Sequence, residues 1–281
     1  MEARVTRARG CGVAVPRLGR QGGNVVRMDH ETLKTAAQVA ERACDRARAE
    51  IMPRFRDVAV EWKQDGSPVT EADRAAERII RQTLRESYPD HGLLGEEYGD
   101  AEAGPEDAPR WIIDPIDGTI SFSRGIPLFG TLLALTVEGQ PVVGVIDLPA
   151  LGERYVATRG GGCRRNGQPV FCSKSADLHR SIVSTGDPIC FELAGRRPLF
   201  ERITREVPLV RGYTDAFGHA QTISGGIDAM VDCDLNPWDA AATQLLAIEA
   251  GGACETRTGA RGKIDLFFGS PALVEQLVEM S

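Results

Sequence analysis

Trp111-Ile112-Ile113-Asp114-Pro115-Ile116-Asp117-Gly118-Thr119 joins a short apolar run to two carboxylates on one tight turn. The run has the chemistry of a strand, and it delivers Asp114 at its end. Pro115 has no N–H to give to a ladder, so regular pairing stops there. Gly118 permits a sharp turn with close backbone approach. Asp114 and Asp117 repel each other unless something compensates, and a hard divalent cation with oxygen ligands does so directly. The turn can also present the N–H groups of Gly118 and Thr119 at the start of a helical turn, which is an anion site. A cation site beside a phosphate site points to metal-assisted phosphoryl chemistry. The alternative is an acidic surface turn with Thr119 as a helix cap.

Working outward, the spacing of Leu33, Ala36, Ala37, Ala40, Ala43 and Ala47 predicts a helix from Asp29 to about Met52, stopped by Pro53. A short strand is expected at Val58–Trp62, then a turn-rich loop over 63–70. Thr70 reads as the N-cap of a helix running to about Ser87, with Asp73 as its capping-box partner. Strands follow at Leu132–Val137 and Val142–Ile146, joined by Glu138-Gly139-Gln140-Pro141 as a hairpin, then at Tyr155–Thr158 and Pro169–Cys172. From Ser181 the pattern alternates: strand Ile182–Ser184, a helix near Leu199–Glu206, segments Ala216–Ser224 and Ala229–Val231, and a strong helix over Ala240–Ala250 capped by Gly251-Gly252. Strand Leu266–Gly269 and helix Pro271–Met280 close the chain. Helices and strands in layers, without a strict βαβ repeat, imply an α+β fold of αβαβα type.

The chain has 281 residues, enough for one large or two modest domains and a core that needs no disulfide staples. Its net charge of −7 argues against the clustered basic surface that nucleic-acid binding needs. No apolar run is long enough to span a bilayer. Seven scattered cysteines with no C-x-x-C pair argue against a disulfide framework or structural zinc, and for reduced thiols in the cytoplasm. Residues 1–27 carry six arginines and one acid, Glu2, for a net +5, which leaves −12 on the remainder. This segment has no apolar core of signal-peptide kind. It reads as a disordered basic tail or as sequence upstream of the true start, for which Met28 is a natural candidate; a transit peptide is the further alternative.

Two more acidic clusters stand at element boundaries: Gly95-Glu96-Glu97, and Asp239 within Asn236-Pro237-Trp238-Asp239. Taken together and in order, SPVTEAD (67–73), GEE (95–97), DPIDGT (114–119) and NPWDAAA (236–242) resemble the inositol monophosphatase superfamily of Mg²⁺-dependent, lithium-sensitive phosphatases. The resemblance covers about residues 29–281. It implies the layered αβαβα sandwich of the inositol monophosphatase and fructose-1,6-bisphosphatase type. Residues 28–178 then form an N-terminal α+β subdomain with most metal ligands, and 179–281 a C-terminal α/β subdomain that completes the site.

The resemblance further implies that Glu96, Asp114, Asp117, Asp239 and the Ile116 carbonyl hold two or three Mg²⁺ ions. Glu97 and Thr119 match positions that orient the attacking water, and Asp73 an outer acidic position. Asp117, Gly118, Thr119, Asp232 and Asp239 match substrate and phosphate positions, and Lys63 a lysine near the metals. The family's reaction is direct attack of metal-activated water, with no phosphoenzyme. Two metals lower the pKa of bound water and clamp the attacking and leaving oxygens. A covalent aspartyl-phosphatase would space its two aspartates by one residue, whereas Asp114 and Asp117 are separated by two. Ser121-Phe122-Ser123-Arg124-Gly125-Ile126-Pro127-Leu128-Phe129-Gly130-Thr131 is similar to the histidinol-phosphate phosphatase branch, although Ile120 stands where that branch commonly has lysine. The expected substrate is a small phosphorylated metabolite, L-histidinol phosphate first; an inositol, sugar or nucleotide phosphate is the alternative. Arg211–His219 should lie near the same pocket, with His219 structural. Homodimers are common in the family, and the implied partners include no nucleic acid and no membrane.

Overall fold

The computed structural model describes residues 28–64, 66–102, 108–259 and 262–281. The basic segment 1–27 lies outside the described residues. Helix α1 (His30–Ile51) starts at Asp29, whose carboxylate accepts the Thr32 N–H at 2.8 Å. Strands β1 (Glu61–Trp62) and β2 (Pro68–Val69) form a small antiparallel pair, so the strand expected over 58–62 keeps only its last two residues. Helix α2 (Glu71–Ser87) has the capping box read from its sequence: Asp73 Oδ2 accepts the Thr70 N–H at 2.8 Å.

An eight-stranded sheet follows. It contains β3 (Gly92–Gly95), β4 (Gly99–Glu102), β5 (Arg110–Asp117), β6 (Gly130–Val137), β7 (Gln140–Leu148), β8 (Glu153–Thr158), β9 (Gly162–Arg165) and β10 (Gln168–Pro169), in the order β10-β9-β8-β7-β6-β5-β3-β4. Only β3 and β5 pair in parallel; the rest is antiparallel. The five-residue helix α3 (Thr119–Ser123) interrupts the run between β5 and β6. The β6–β7 turn is tighter than expected. Glu138 (φ 52°) and Gly139 (φ 72°) are both left-handed, as a two-residue hairpin turn requires, so the strands run further into it. The strand expected over 169–172 is displaced to Gln168–Pro169.

The second sheet has five strands in the order β12-β11-β13-β15-β14: β11 (Ile182–Thr185), β12 (Leu209–Arg211), β13 (Ala229–Leu235), β14 (Ala253–Thr258) and β15 (Ile264–Gly269). Helices α4 (Pro188–Leu193), α5 (Arg197–Glu206) and α8 (Pro271–Glu279) cover its outer face through Val183, Phe191, Ile203, Phe267 and Leu277. Helices α6 (Asp215–Ile223) and α7 (Pro237–Glu249) fill the space between the sheets, packing Ala220, Ala241 and Leu246 against Leu132, Ile146, Met230 and Phe268. Helices α1 and α2 cover the other face of the first sheet with Ala36, Ala40, Ile80 and Leu84. The layers are therefore α1α2, sheet, α6α7, sheet, α4α5α8, which is the αβαβα sandwich. Alanine on α7 brings that helix close: a Cβ on Gly144 of β7 would lie 3.0 Å from the Ala242 carbonyl. The six described cysteines are all free thiols. Among the described residues, no helix is long and apolar enough to cross a membrane.

Candidate active site

Side chains alternate along β5, so Trp111 and Ile113 enter the core beneath α1 and α2, while Ile112 packs toward the middle layer. Asp114 shares the Ile112 face and opens into a cleft at the end of the middle layer. The β5–β6 register shifts between Asp114 and Asp117, and the Thr131 hydroxyl donates to the Pro115 carbonyl at 2.8 Å in place of a ladder bond. Gly118, at φ 91°, then turns the chain into α3. A Cβ there would meet the Leu128 carbonyl at 2.9 Å, so glycine is required twice over.

The cleft has a volume of about 540 Å³ and is lined by eight carboxylic acids and one lysine, Lys263. Glu96, Asp114, Asp117 and Asp239 come from three separate elements, with the Ile116 and Gly118–Thr119 backbone between them. Helix α7 supplies Asp239 through a second capping box. Asp239 Oδ2 accepts the Asn236 N–H at 2.7 Å, and the other carboxylate oxygen is not used by the cap. Asp114 is 2 % exposed, and its Oδ1 has no hydrogen-bond partner among the described residues. Burial, followed by the charges of Glu96, Asp117, Asp239 and Asp73, pushes Asp114 well above the ordinary carboxylate range. Burial and then Asp215 do the same to Asp117. Asp239 is pushed up to about 6, chiefly by burial.

Glu96 and Glu97 share one cation. Lys63 Nζ lies 2.9 Å from Glu96 Oε1 and 2.7 Å from Glu97 Oε1. Burial acts against the ammonium, but the Glu97 and Glu96 hydrogen bonds outweigh it and raise its pKa. Burial pushes Glu97 up to about 7 even so. Glu97 and Asp73 do not line the cleft; they sit behind it. Asp73 Oδ1 lies 3.1 Å from the Thr119 hydroxyl, which is also 3.1 Å from the Ile116 carbonyl. Asp73 thus joins the α2 cap to Thr119.

Glu77 is a part of this arrangement that the sequence conceals. It is fully buried, bonded to Arg81 Nε at 2.7 Å, and it accepts the Glu97 N–H at 2.7 Å. A Cβ on Gly95 would collide with Glu77 Oε1. Gly95→Ala should therefore displace the buried carboxylate and cost about 2 kcal/mol or more, read from urea unfolding; an unchanged midpoint would contradict the packing. Asp215, at φ 56° on the first residue of α6, also enters the cleft, and burial and Asp232 push it up to about 6. Asp232 and His219 form a buried pair, Nε2 to Oδ2 at 3.2 Å, with Thr243 Oγ1 2.7 Å from His219 Nδ1. His219 lines the cleft and supports Asp232.

The donors are oxygen and mostly anionic, which suits a hard divalent cation. The orphaned Oδ1 of buried Asp114 fits the same group. Among the described residues no three such side chains already converge on one point, and Glu96 is held by Lys63.

Residues 29–276 match the profile of the inositol monophosphatase family. The chain is 42% identical to a histidinol-phosphatase of Chlorobaculum parvum over 83% of its length and 88% of that protein. It is 35% identical to a histidinol-phosphatase of Mycobacterium tuberculosis, over 84% and 91% of the two chains. The crystal structure of the extragenic suppressor protein suhB from Bartonella henselae superposes with a TM-score of 0.80 at 29% identity, covering 88% of this chain and 98% of that one.

Proposed function

The chain belongs to the inositol monophosphatase family and is a phosphoric monoester hydrolase, and on that premise we propose that it hydrolyses L-histidinol phosphate with the help of Mg²⁺. The observation that carries the reading is the convergence on one cleft of buried Asp114, whose Oδ1 has no hydrogen-bond partner among the described residues, with half-buried Asp117 and Asp239. Such a cluster stays ionised at neutral pH only opposite a cation; without one its acids hold protons, as their raised pKa values show. Glu96, Asp114, Asp117, Asp239 and the Ile116 carbonyl would hold Mg²⁺. Bound there, it would lower the pKa of water and offset charge on the phosphate. The Gly118 and Thr119 N–H groups would face the phosphate oxygens. The Thr119 hydroxyl, held between Asp73 and the Ile116 carbonyl, would orient a water, with Glu97, paired to Lys63 behind the cleft, as the base.

The substrate reading is supported by the two histidinol-phosphatase relatives and by the acidity of the cleft beyond the metal-binding acids, which suits a cationic alcohol. A phosphate-release panel with Mg²⁺ tests it. L-Histidinol phosphate should give a kcat/KM at least about tenfold above inositol 1-phosphate, fructose 1,6-bisphosphate and adenosine 3′,5′-bisphosphate. Preference for one of the other three would assign the site to that substrate instead.

A further inference from the structure

The acids of the cleft fall into two sets. Glu96, Asp114, Asp117 and Asp239 are the proposed metal ligands. Asp187, Asp215, Asp232 and Asp234 line the remainder. Within the second set, Asp232 is engaged on both oxygens: Oδ1 accepts the Cys233 N–H at 3.0 Å, and Oδ2 faces His219 Nε2 at 3.2 Å. Asp187 Oδ1 accepts the Ile189 N–H at 3.1 Å as the cap of α4. Asp215 accepts only the Thr214 hydroxyl, at 3.1 Å on Oδ2, among the described residues. Its carboxylate also abuts the turn proposed to take the phosphate. Asp215 Oδ2 lies 3.3 Å from the place a Cβ on Gly118 would occupy.

That position selects a chemistry. A cation bonded by Asp215 must lie immediately beside the phosphate, not at the far end of the leaving group. In the phosphate ester of a 2-amino alcohol, the ammonium sits on the carbon next to the phosphorylated one. It therefore falls beside the Asp215 carboxylate, whose Oδ2 abuts the turn and accepts one hydroxyl while its Oδ1 accepts no hydrogen bond among the described residues. An ammonium–carboxylate hydrogen bond is charge-assisted, and beside a half-buried carboxylate such as Asp215 it is stronger than a bond between neutral groups. A neutral substituent at the same place would leave Asp215 desolvated and unpaired, which discriminates against it.

We infer that Asp215 determines specificity, binding the ammonium of a 2-amino alcohol phosphate next to the scissile ester. The inference rests on the phosphatase reading of the site. The test uses the full chain with Mg²⁺ and two esters of matched shape, O-phosphoethanolamine and n-propyl phosphate, in which a methyl replaces the ammonium. Wild type should favour the amine at least tenfold in kcat/KM. Asp215→Asn should cut that selectivity at least tenfold, mainly through KM of the amine. An unchanged ratio in the variant, or no preference in wild type, overturns the role of Asp215 and leaves the phosphatase reading standing. The wild-type comparison holds whether or not the variant folds. Absence of Mg²⁺-dependent turnover of any ester, L-histidinol phosphate included, overturns that reading and this inference with it.

Discussion

Asp114→Asn is expected to lower kcat/KM for phosphate release at least about a hundredfold while changing the stability of the metal-free chain by no more than about 1 kcal/mol. The two effects separate because of what surrounds this side chain. Asp114 is buried, its Oδ1 has no partner among the described residues, and burial followed by Glu96, Asp117 and Asp239 raises its pKa. In the metal-free protein the carboxylate is therefore a source of repulsion, and removing its charge takes away little that holds the fold together. With a divalent cation present, the same charge is a ligand, and an amide replaces it poorly. Asp239→Asn should be as damaging to activity but less clean, because Asp239 Oδ2 also closes the α7 capping box on the Asn236 N–H. That cap is worth about 1 kcal/mol. Steady-state kinetics beside metal-free urea unfolding separates the two. Near-wild-type turnover by Asp114→Asn would remove Asp114 from the metal site.

Mg²⁺ should raise the melting temperature, and by more at pH 7.5 than at pH 5. Asp239 and Asp215 are pushed up to about 6 from an ordinary 3.8, and Glu97 to about 7 from 4.5, burial being the main cause in each. A carboxyl with a raised folded pKa holds its proton more tightly in the folded state. Its contribution to stability is full below the unfolded value, near pH 4, and is lost as pH climbs through the folded value. The metal-free protein should thus weaken progressively between about pH 4 and 7. Over the same range the ligands become available to a cation, since metal and proton compete for them. At a hundredfold excess over Kd, binding adds about 2.7 kcal/mol, or about 5–10 °C for a chain of this size. Differential scanning calorimetry with Mg²⁺ or EDTA at the two pH values reads the effect. An equal or larger shift at pH 5 would contradict it.

The parts of this molecule that can be read from sequence are those whose cause is local. Thr70 and Asp73 lie three residues apart and satisfy each other's backbone, so the start of α2 is visible without any tertiary contact. The same holds for Asn236 and Asp239 at α7. The β6–β7 hairpin was marked by Glu138-Gly139, but its turn used two residues and not four, because both adopt left-handed backbone. Strands β3, β12 and β14 left little trace. β3 is only Gly92-Leu93-Leu94-Gly95, and its parallel pairing with β5 depends on a neighbour across the sheet. Glu77 looks like half of a surface i,i+4 pair with Arg81; only Gly95, eighteen positions on, makes room to bury it. Asp215 had no motif of its own. The acids named from the four motifs do converge on one cleft or on the shell behind it, since each motif ends a strand or starts a helix pointing there.

The central claim is that these acids serve a cation in phosphate ester hydrolysis. Titrating Mg²⁺ into EDTA-stripped protein with L-histidinol phosphate, and following phosphate release, tests it most directly. The expected result is no turnover before addition and a saturable rise with Mg²⁺. Full turnover in EDTA, indifferent to added Mg²⁺, would contradict it.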